Sequence, residues 1–161
     1  MQKRFLLLFI LAALLTNCNK ESAIDANAET ANWMSNLLKA NPTATIALKD
    51  IAIPGSHDAA MYLLQDCSLA NACNTQTQYL SMKDQLEAGL RMFDIRPILH
   101  NGKYYTQHAT DCDGFGCKGD IVENILTQTN TFLDSHAELV ILYLSHFCNI
   151  EADDAAFLAF V

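Results

Sequence analysis

Apolar positions come in short runs separated by polar breaks, and the runs differ in period. Leu48–Ile53, Leu90–Ile95, Lys103–Gln107 and Leu139–Leu144 are strand-like; the first alternates β-branched residues and the last is nearly continuous. A continuous run predicts a strand buried on both faces. Between them lie stretches of helical period. Trp33–Leu38 places Trp33, Leu37 and Leu38 on one face, and Asn41-Pro42 stops it. Ala59–Leu64 reads as the start of a helix leading into a cysteine loop at 66–78. Met82–Ala88 is a helix with Gly89 as its terminator. Asp120–Ser135 offers Ile121, Ile125, Leu126, Phe132 and Leu133 as core contacts, and a last helix begins near Asp153. Asn101-Gly102 is a hairpin turn signal. This alternation predicts an α/β fold with a largely parallel sheet covered by helices.

Composition narrows the class. The chain has 161 residues, 51% of them hydrophobic, which suits one globular domain. A formal charge of −8 argues against nucleic acid as a partner and against simple electrostatic adhesion to anionic lipid. Lys3 and Arg4 followed by the apolar run Phe5–Leu15 read as a signal peptide, too short to span a bilayer comfortably. The run ends Leu15-Thr16-Asn17-Cys18, which resembles a bacterial lipobox, with Asn17 where Gly, Ala or Ser is usual. The reading is therefore a signal peptide at 1–17, lipidation at Cys18, a polar linker at 18–31 and one domain at 32–161. The protein is expected to be exported, as a cell-envelope lipoprotein or in secreted form.

Export puts the remaining cysteines in an oxidising compartment. Cys67 pairs most simply with Cys73 and Cys112 with Cys117, each within its own loop. A zinc site is the alternative, although neither pair has tight knuckle spacing. Cys148 is left over, either buried or paired outside the chain.

Candidate chemistry gathers at strand ends. Pro54-Gly55-Ser56-His57-Asp58 follows the first strand, Asp94 and Arg96 close the second, and His108 closes the third. Two histidines flanking a reacting group can serve as base and acid near neutral pH. An arginine beside them can clamp phosphate through its planar fork of donors. With no evident Ser or Cys nucleophile, the set suits phosphoryl transfer to an internal hydroxyl. Structural histidines and an internal Asp94–Arg96 ion pair are the plain alternatives. His146, after the fourth strand, reads as a core or surface histidine; His100 and His136 read as solvated. Glu151, Asp153 and Asp154 read as a helix N-terminal charge cluster.

Taken in order, Trp33-Met34, Ile53–Asp58, Gln85–Pro97, His108, Phe132-Leu133 and Glu138–Leu142 resemble the X domain of phosphatidylinositol-specific phospholipase C. The resemblance implies a distorted TIM-type barrel. It implies His57 as the base that deprotonates the inositol 2-hydroxyl and His108 as the acid that protonates the leaving diacylglycerol oxygen. It pairs Asp58 with His108, gives Arg96 the phosphate, sets Asp94 beside it, and makes His146 a possible substrate contact. In the calcium-dependent branch an acidic ligand stands where Arg96 is. A fixed guanidinium supplies comparable charge stabilisation, so no metal or other cofactor is expected. The expected partner is a phospholipid at a membrane surface, held through an N-terminal lipid anchor. A full barrel takes about 250 residues and eight strands, so the chain is expected to be the first half of one. Two other readings stand beside this one: a metal-dependent glycerophosphodiester phosphodiesterase or phospholipase D of the same barrel type, or an inactive lipoprotein that binds a polyol phosphate.

Overall fold

Arg91 and Glu138 carry the strongest local constraint on the architecture. In the computed structural model, which describes residues 28–112, 114–151 and 154–161, both side chains are closed to solvent and Arg91 Nε lies 3.0 Å from Glu138 Oε2. The elements they join run in the order α1 (Ala28–Ala31), α2 (Trp33–Ala40), β1 (Gly55–Ser56), β2 (Gln65–Ser68), α3 (Ala72–Thr75), α4 (Met82–Glu87) and β3 (Met92–Ile95). There follow β4 (Pro97–His100), β5 (Lys103–Ala109), β6 (Gly116–Ile121), α5 (Val122–Ser135), β7 (Ile141–Leu144) and α6 (Ala155–Phe160).

Two sheets result. β1, β3 and β7 form a parallel sheet in the order β1-β3-β7, with Ser56 opposite Phe93 and Ile95 opposite Leu144. β2, β6, β5 and β4 form an antiparallel sheet in the order β2-β6-β5-β4. The prediction of a largely parallel sheet therefore covers only part of the chain. Arg96 is the junction, since β3 ends at Ile95 and β4 starts at Pro97. Its carbonyl accepts from Gln107 N at 3.0 Å, which locks the corner onto β5. The Asn101-Gly102 turn is as predicted: both residues have positive φ, 49° and 73°, and join His100 to Lys103 in a two-residue hairpin.

The core lies between the parallel sheet and its helices. Phe93 and Ile95 alternate inward from β3 to meet Met82 and Leu86 of α4 and Ile125 and Phe132 of α5. Gly89 ends α4 with φ 100°, a conformation glycine takes without Cβ strain. Ser81 caps the same helix by accepting from Asp84 N at 3.2 Å.

Several expectations are corrected. Leu48–Ile53 is not a strand: Leu48–Asp50 is a single 3₁₀ turn, and pairing starts only at Gly55, beyond the Pro-Gly break. Proline costs no ladder bond there, because Pro54 contributes only its carbonyl, to Arg91 N and Met92 N. Ala59–Leu64 is a chain of turns rather than a helix. Its backbone groups are taken elsewhere: Ala59 N donates to Asp94 O, Gln85 Nε2 donates to Ala59 O, and Asp120 N donates to Ala60 O. The 66–78 loop holds most of β2 and all of α3. On α2 the buried residues are Met34 and Ser35, while Leu38 is exposed, because the helix is gripped at its N-terminus by Glu138. On α5 Leu133 is exposed and Val122 buried. β7 is an edge strand of its sheet, with Leu142 and Leu144 on the core and Tyr143 exposed, so only one face is covered. His136 is half-buried and stacked on Phe132, and His100 is half-buried beside Tyr105, so neither is simply solvated.

The disulfides are also not local. Cys67 joins Cys117 and Cys112 joins Cys148, which gives Cys148 a partner. The reason is strand register: β2 pairs β6 with Ser68 opposite Gly116, which brings Cys67 to Cys117. Cys148 is laid along β4 by hydrogen bonds of its N to Pro97 O and of Leu99 N to its own O. Asp154 caps α6 by accepting from Ala156 N and Phe157 N, and Phe157 seats the helix against Tyr104 and Phe147. Asp153 lies outside the described residues.

Two outcomes follow for stability. Arg91→Ala leaves the Glu138 carboxylate buried without its cation and is expected to cost about 3–5 kcal/mol in urea unfolding. Burial opposes ionisation of Glu138, yet hydrogen bonds from Ser35 and the Arg91 guanidinium outweigh it and hold its carboxyl below the ordinary 4.5. That contribution is complete above the ordinary value and fades as pH falls through the lower folded one, so a titration of the unfolding midpoint should drop below about pH 4.5, less steeply in Glu138→Gln. Replacing Cys112 and Cys148 together by Ser should cost roughly 2–4 kcal/mol, since they close a 36-residue separation.

Candidate active site

Five of the residues singled out by sequence meet at the seam between the two sheets. His57 and Asp58 follow β1, Asp94 lies in β3, Arg96 is the junction, and His108 stands in β5 opposite Cys117. His108 is thus one residue inside its strand rather than past its end, and its strand belongs to the antiparallel sheet. The parallel ladder puts Ser56 beside Phe93, and the first residues after β1 therefore reach Asp94. Ala59 N donates to Asp94 O at 2.9 Å and continues that pairing past the strand.

Asp58 is the centre of the cluster. Its side chain is fully buried and its φ is 45°, a left-handed conformation that costs about 1 kcal/mol or more for a residue with a Cβ. Thr77 Oγ1 donates to Asp58 O at 2.9 Å and Gln78 Nε2 to His57 O at 2.8 Å, which hold the turn. His108 Nδ1 lies 2.5 Å from Asp58 Oδ2, and His57 Nε2 lies 3.3 Å from the same oxygen. Arg96 Nε lies 2.7 Å from Asp58 Oδ1, an ionic contact rather than an aligned hydrogen bond. One buried carboxylate thus faces both imidazoles and the guanidinium.

Asp94 is the second carboxylate. Its Oδ2 lies 3.0 Å from Arg96 Nη2 and 3.2 Å from His57 Nδ1. Its Oδ1 accepts from Ser145 Oγ at 3.0 Å. Burial works against its charge, but hydrogen bonds from Arg96 and Ser145 and the guanidinium charge prevail, so its carboxyl is held below the ordinary 3.8. His57 is the open end of the cluster at 65% exposure, against 33% for His108.

His146 sits at the rim. It follows β7 with φ 51°, is exposed, and its Nδ1 lies 2.9 Å from Ser145 Oγ. It reaches the cluster through Ser145, a residue to which sequence reasoning gave no role; the signal available was its place one residue beyond β7. Cys18 lies outside the described residues. Among the described residues, His57, Asp58 and Asp94 are the one group of acidic and imidazole side chains close enough to hold a metal, with donor atoms within 4.8 Å of one another. Arg96 already lies within 3.0 Å of an oxygen of each carboxylate. A metal there has to share those oxygens with a fixed cation.

In sequence and in fold the chain is similar to phosphatidylinositol-specific phospholipases C. PI-PLC X domain-containing protein 3 of Danio rerio is 30% identical over 148 residues, which cover 75% of this chain and 43% of that protein. The 1-phosphatidylinositol phosphodiesterase of Listeria monocytogenes is 38% identical over 82 residues, 51% of this chain and 24% of that protein. The solved phosphatidylinositol-specific phospholipase C of Listeria monocytogenes superposes with a TM-score of 0.58 at 28% identity, over 78% of this chain and 41% of that one. No protein-family profile matches the chain. The homologues of this chain are thus PI-PLC X domain-containing proteins and bacterial phosphatidylinositol-specific phospholipases C, and its fold is part of their TIM-type barrel. It spans less than half the length of these relatives.

Arg96→Met removes the cation that faces both carboxylates. Asp94, followed by carboxyl ¹³C NMR, is expected to titrate higher in this variant than in the native protein, closer to 3.8. An unchanged titration would mean that Arg96 does not govern the charge of Asp94.

Proposed function

We propose that this chain carries the two-histidine machinery of a phosphodiesterase that cleaves phosphatidylinositol, or a glycosylphosphatidylinositol. The observation that carries the reading is the sharing of Asp58: His108 Nδ1 and Arg96 Nε lie 2.5 and 2.7 Å from its two oxygens, and the exposed His57 lies 3.3 Å from the oxygen that faces His108. His57 takes the proton of the inositol 2-hydroxyl, and that oxygen attacks phosphorus. Arg96 stabilises the charge on the non-bridging oxygens as it is redistributed. His108, held by Asp58, protonates the diacylglycerol oxygen as its bond to phosphorus breaks. The products are diacylglycerol and an inositol cyclic phosphate, and the proton removed by His57 is balanced by the one given by His108. Asp94 orients Arg96 and His57, and His146 meets the head group from the rim.

The same reading makes residues 1–17 a signal peptide, Cys18 the lipid-bearing N-terminus, 18–31 a tether and 32–161 the barrel region, in a protein exported to meet phospholipid at a membrane surface. Its support is the charged start, the apolar run and the cysteine that follows them. Among the described residues, no helix is long and apolar enough to cross a membrane.

One observation favours a second reading. The convergence of His57, Asp58 and Asp94 offers three donors to a divalent cation, as a metal-dependent phosphodiesterase of this barrel type would need. Chelation separates the two. The native gene product, at whatever length it has, incubated with phosphatidylinositol in EDTA, is expected to give the phosphorus NMR signal of a five-membered cyclic phosphate. His57→Ala and His108→Ala should each lower kcat about 10²–10⁴-fold. Turnover abolished by EDTA would move the assignment to the metal-dependent reaction, and turnover unchanged in both variants would remove the histidines from it.

A further inference from the structure

Ser145 stands directly after β7, and its place is fixed by backbone rather than by side-chain packing. The β3–β7 ladder ends with Ile95 opposite Leu144, and Ser145 N then donates to Ile95 O at 3.0 Å. Its hydroxyl has two polar neighbours, Asp94 Oδ1 at 3.0 Å and His146 Nδ1 at 2.9 Å.

The polarity of this arrangement can be worked out. Asp94 is ionised at neutral pH, so its oxygens only accept. The hydroxyl has one proton, and the contact with Asp94 uses it. The bond to His146 must then run the other way, with Nδ1–H donating to Ser145 Oγ. The donation therefore passes from His146 Nδ1 to Ser145 Oγ to Asp94 Oδ1, and each donor polarises the next. The other Asp94 oxygen faces Arg96 Nη2 at 3.0 Å, Arg96 Nε at 3.2 Å, His57 Nδ1 at 3.2 Å and Asp58 N at 3.4 Å.

A carboxylate has two oxygens and one torsion that turns them. Donors gather on Oδ2 from the elements after β1 and β3, and they fix the distance of that oxygen but not the plane of the group. The bond to Oδ1 supplies the missing point. Because it comes from a different strand, the plane of Asp94 is fixed by the register of β7 against β3.

We propose that Ser145 is a positioning residue of the site: held between His146 Nδ1 and Asp94 Oδ1, its hydroxyl sets the plane of the Asp94 carboxylate and so the aim of Arg96 and His57. The proposal rests on the two-histidine reading for its effect on rate, while the hydrogen-bond chain can be tested without turnover. His146 acquires a second role in it, as the donor that orients Ser145.

The test compares the native protein with Ser145→Ala and Ser145→Thr. With phosphatidylinositol in EDTA, Ser145→Ala should lower kcat about tenfold and leave KM within a factor of two or so, the scale of one lost hydrogen bond expressed in the transition state. Ser145→Thr keeps the hydroxyl and should recover most of the rate, which loss of packing alone would not predict. Imidazole ¹⁵N NMR should find His146 protonated at Nδ1 in the native protein and in Ser145→Thr, and shifted toward Nε2–H in Ser145→Ala. A native protein with turnover whose Ser145→Ala variant keeps its kcat would overturn the proposal, as would a His146 tautomer indifferent to the substitution. A native protein without turnover but with the tautomer shift would sink the phosphodiesterase reading and leave the hydrogen-bond chain standing.

Discussion

The buried Arg91–Glu138 pair determines how the chain is assembled, and the site depends on it at a distance. The Arg91 guanidinium donates to Leu86 O in α4, to Leu90 O beyond it, to Ala31 O in α1, and to Glu138, and it lies 4.8 Å from the centre of the Phe132 ring. Glu138 in turn accepts from Met34 N and Ser35 N, the unpaired donors in the first turn of α2. Its carboxylate is an N-cap supplied from more than a hundred residues away, where Asn32 gives no side-chain cap of its own. A buried ion pair seldom adds stability over a well-packed apolar pair. What this one adds is specification, because each remaining donor or acceptor would be left stranded if any of the three helices moved.

Arg91 also holds the ladder through its backbone. Its N donates to Pro54 O and its O accepts from Ile141 N, so the residue stands at the head of all three parallel strands. Register set there carries to the other end. Four residues on from Arg91 is Ile95, which receives Ser145 N, and three on is Asp94, which receives Ala59 N. A slip of one residue between β3 and either neighbour would send Asp94 to the core face and Phe93 to the site. The two ends of the parallel strands thus divide the work: ion pairing and capping at the start, the cluster of titratable groups at the finish.

This division explains what was legible in the sequence. His57, Asp58, Asp94, Arg96 and His108 could be picked out because each is a polar residue at the edge of an apolar run, a pattern with a local cause. The hairpin at Asn101-Gly102 and the stop at Gly89 were legible for the same reason, since both need positive φ. What was not legible depends on distant partners. The run Leu48–Ile53 has strand composition but finds no strand to pair with, whereas Gly55-Ser56 has poor composition and lies where β3 can receive it. The cysteines follow the same rule. Nearness in sequence suggested pairs within loops, but the antiparallel register of β2 on β6 and the path of Cys148 along β4 decided otherwise.

The antiparallel sheet is what turns a set of strand ends into a site. Three parallel strands alone would present His57, Asp94 and Ser145 in a row, all from one side. By leaving the parallel sheet at Arg96 and returning through β5, the chain brings His108 across from a second direction, and Cys67–Cys117 closes the far side of the strand opposite His108. Asp58 then has both imidazoles near one oxygen and a guanidinium near the other. A buried carboxylate with three such neighbours is electrostatically satisfied only while all of them stay in place. The left-handed turn at Asp58 is retained because it is the conformation that lets its carboxylate reach β5 and Arg96 at once, with Thr77 and Gln78 bracing the loop behind it. Fold and chemistry meet in that residue: its backbone is strained so that its side chain can face both histidines and the arginine at once.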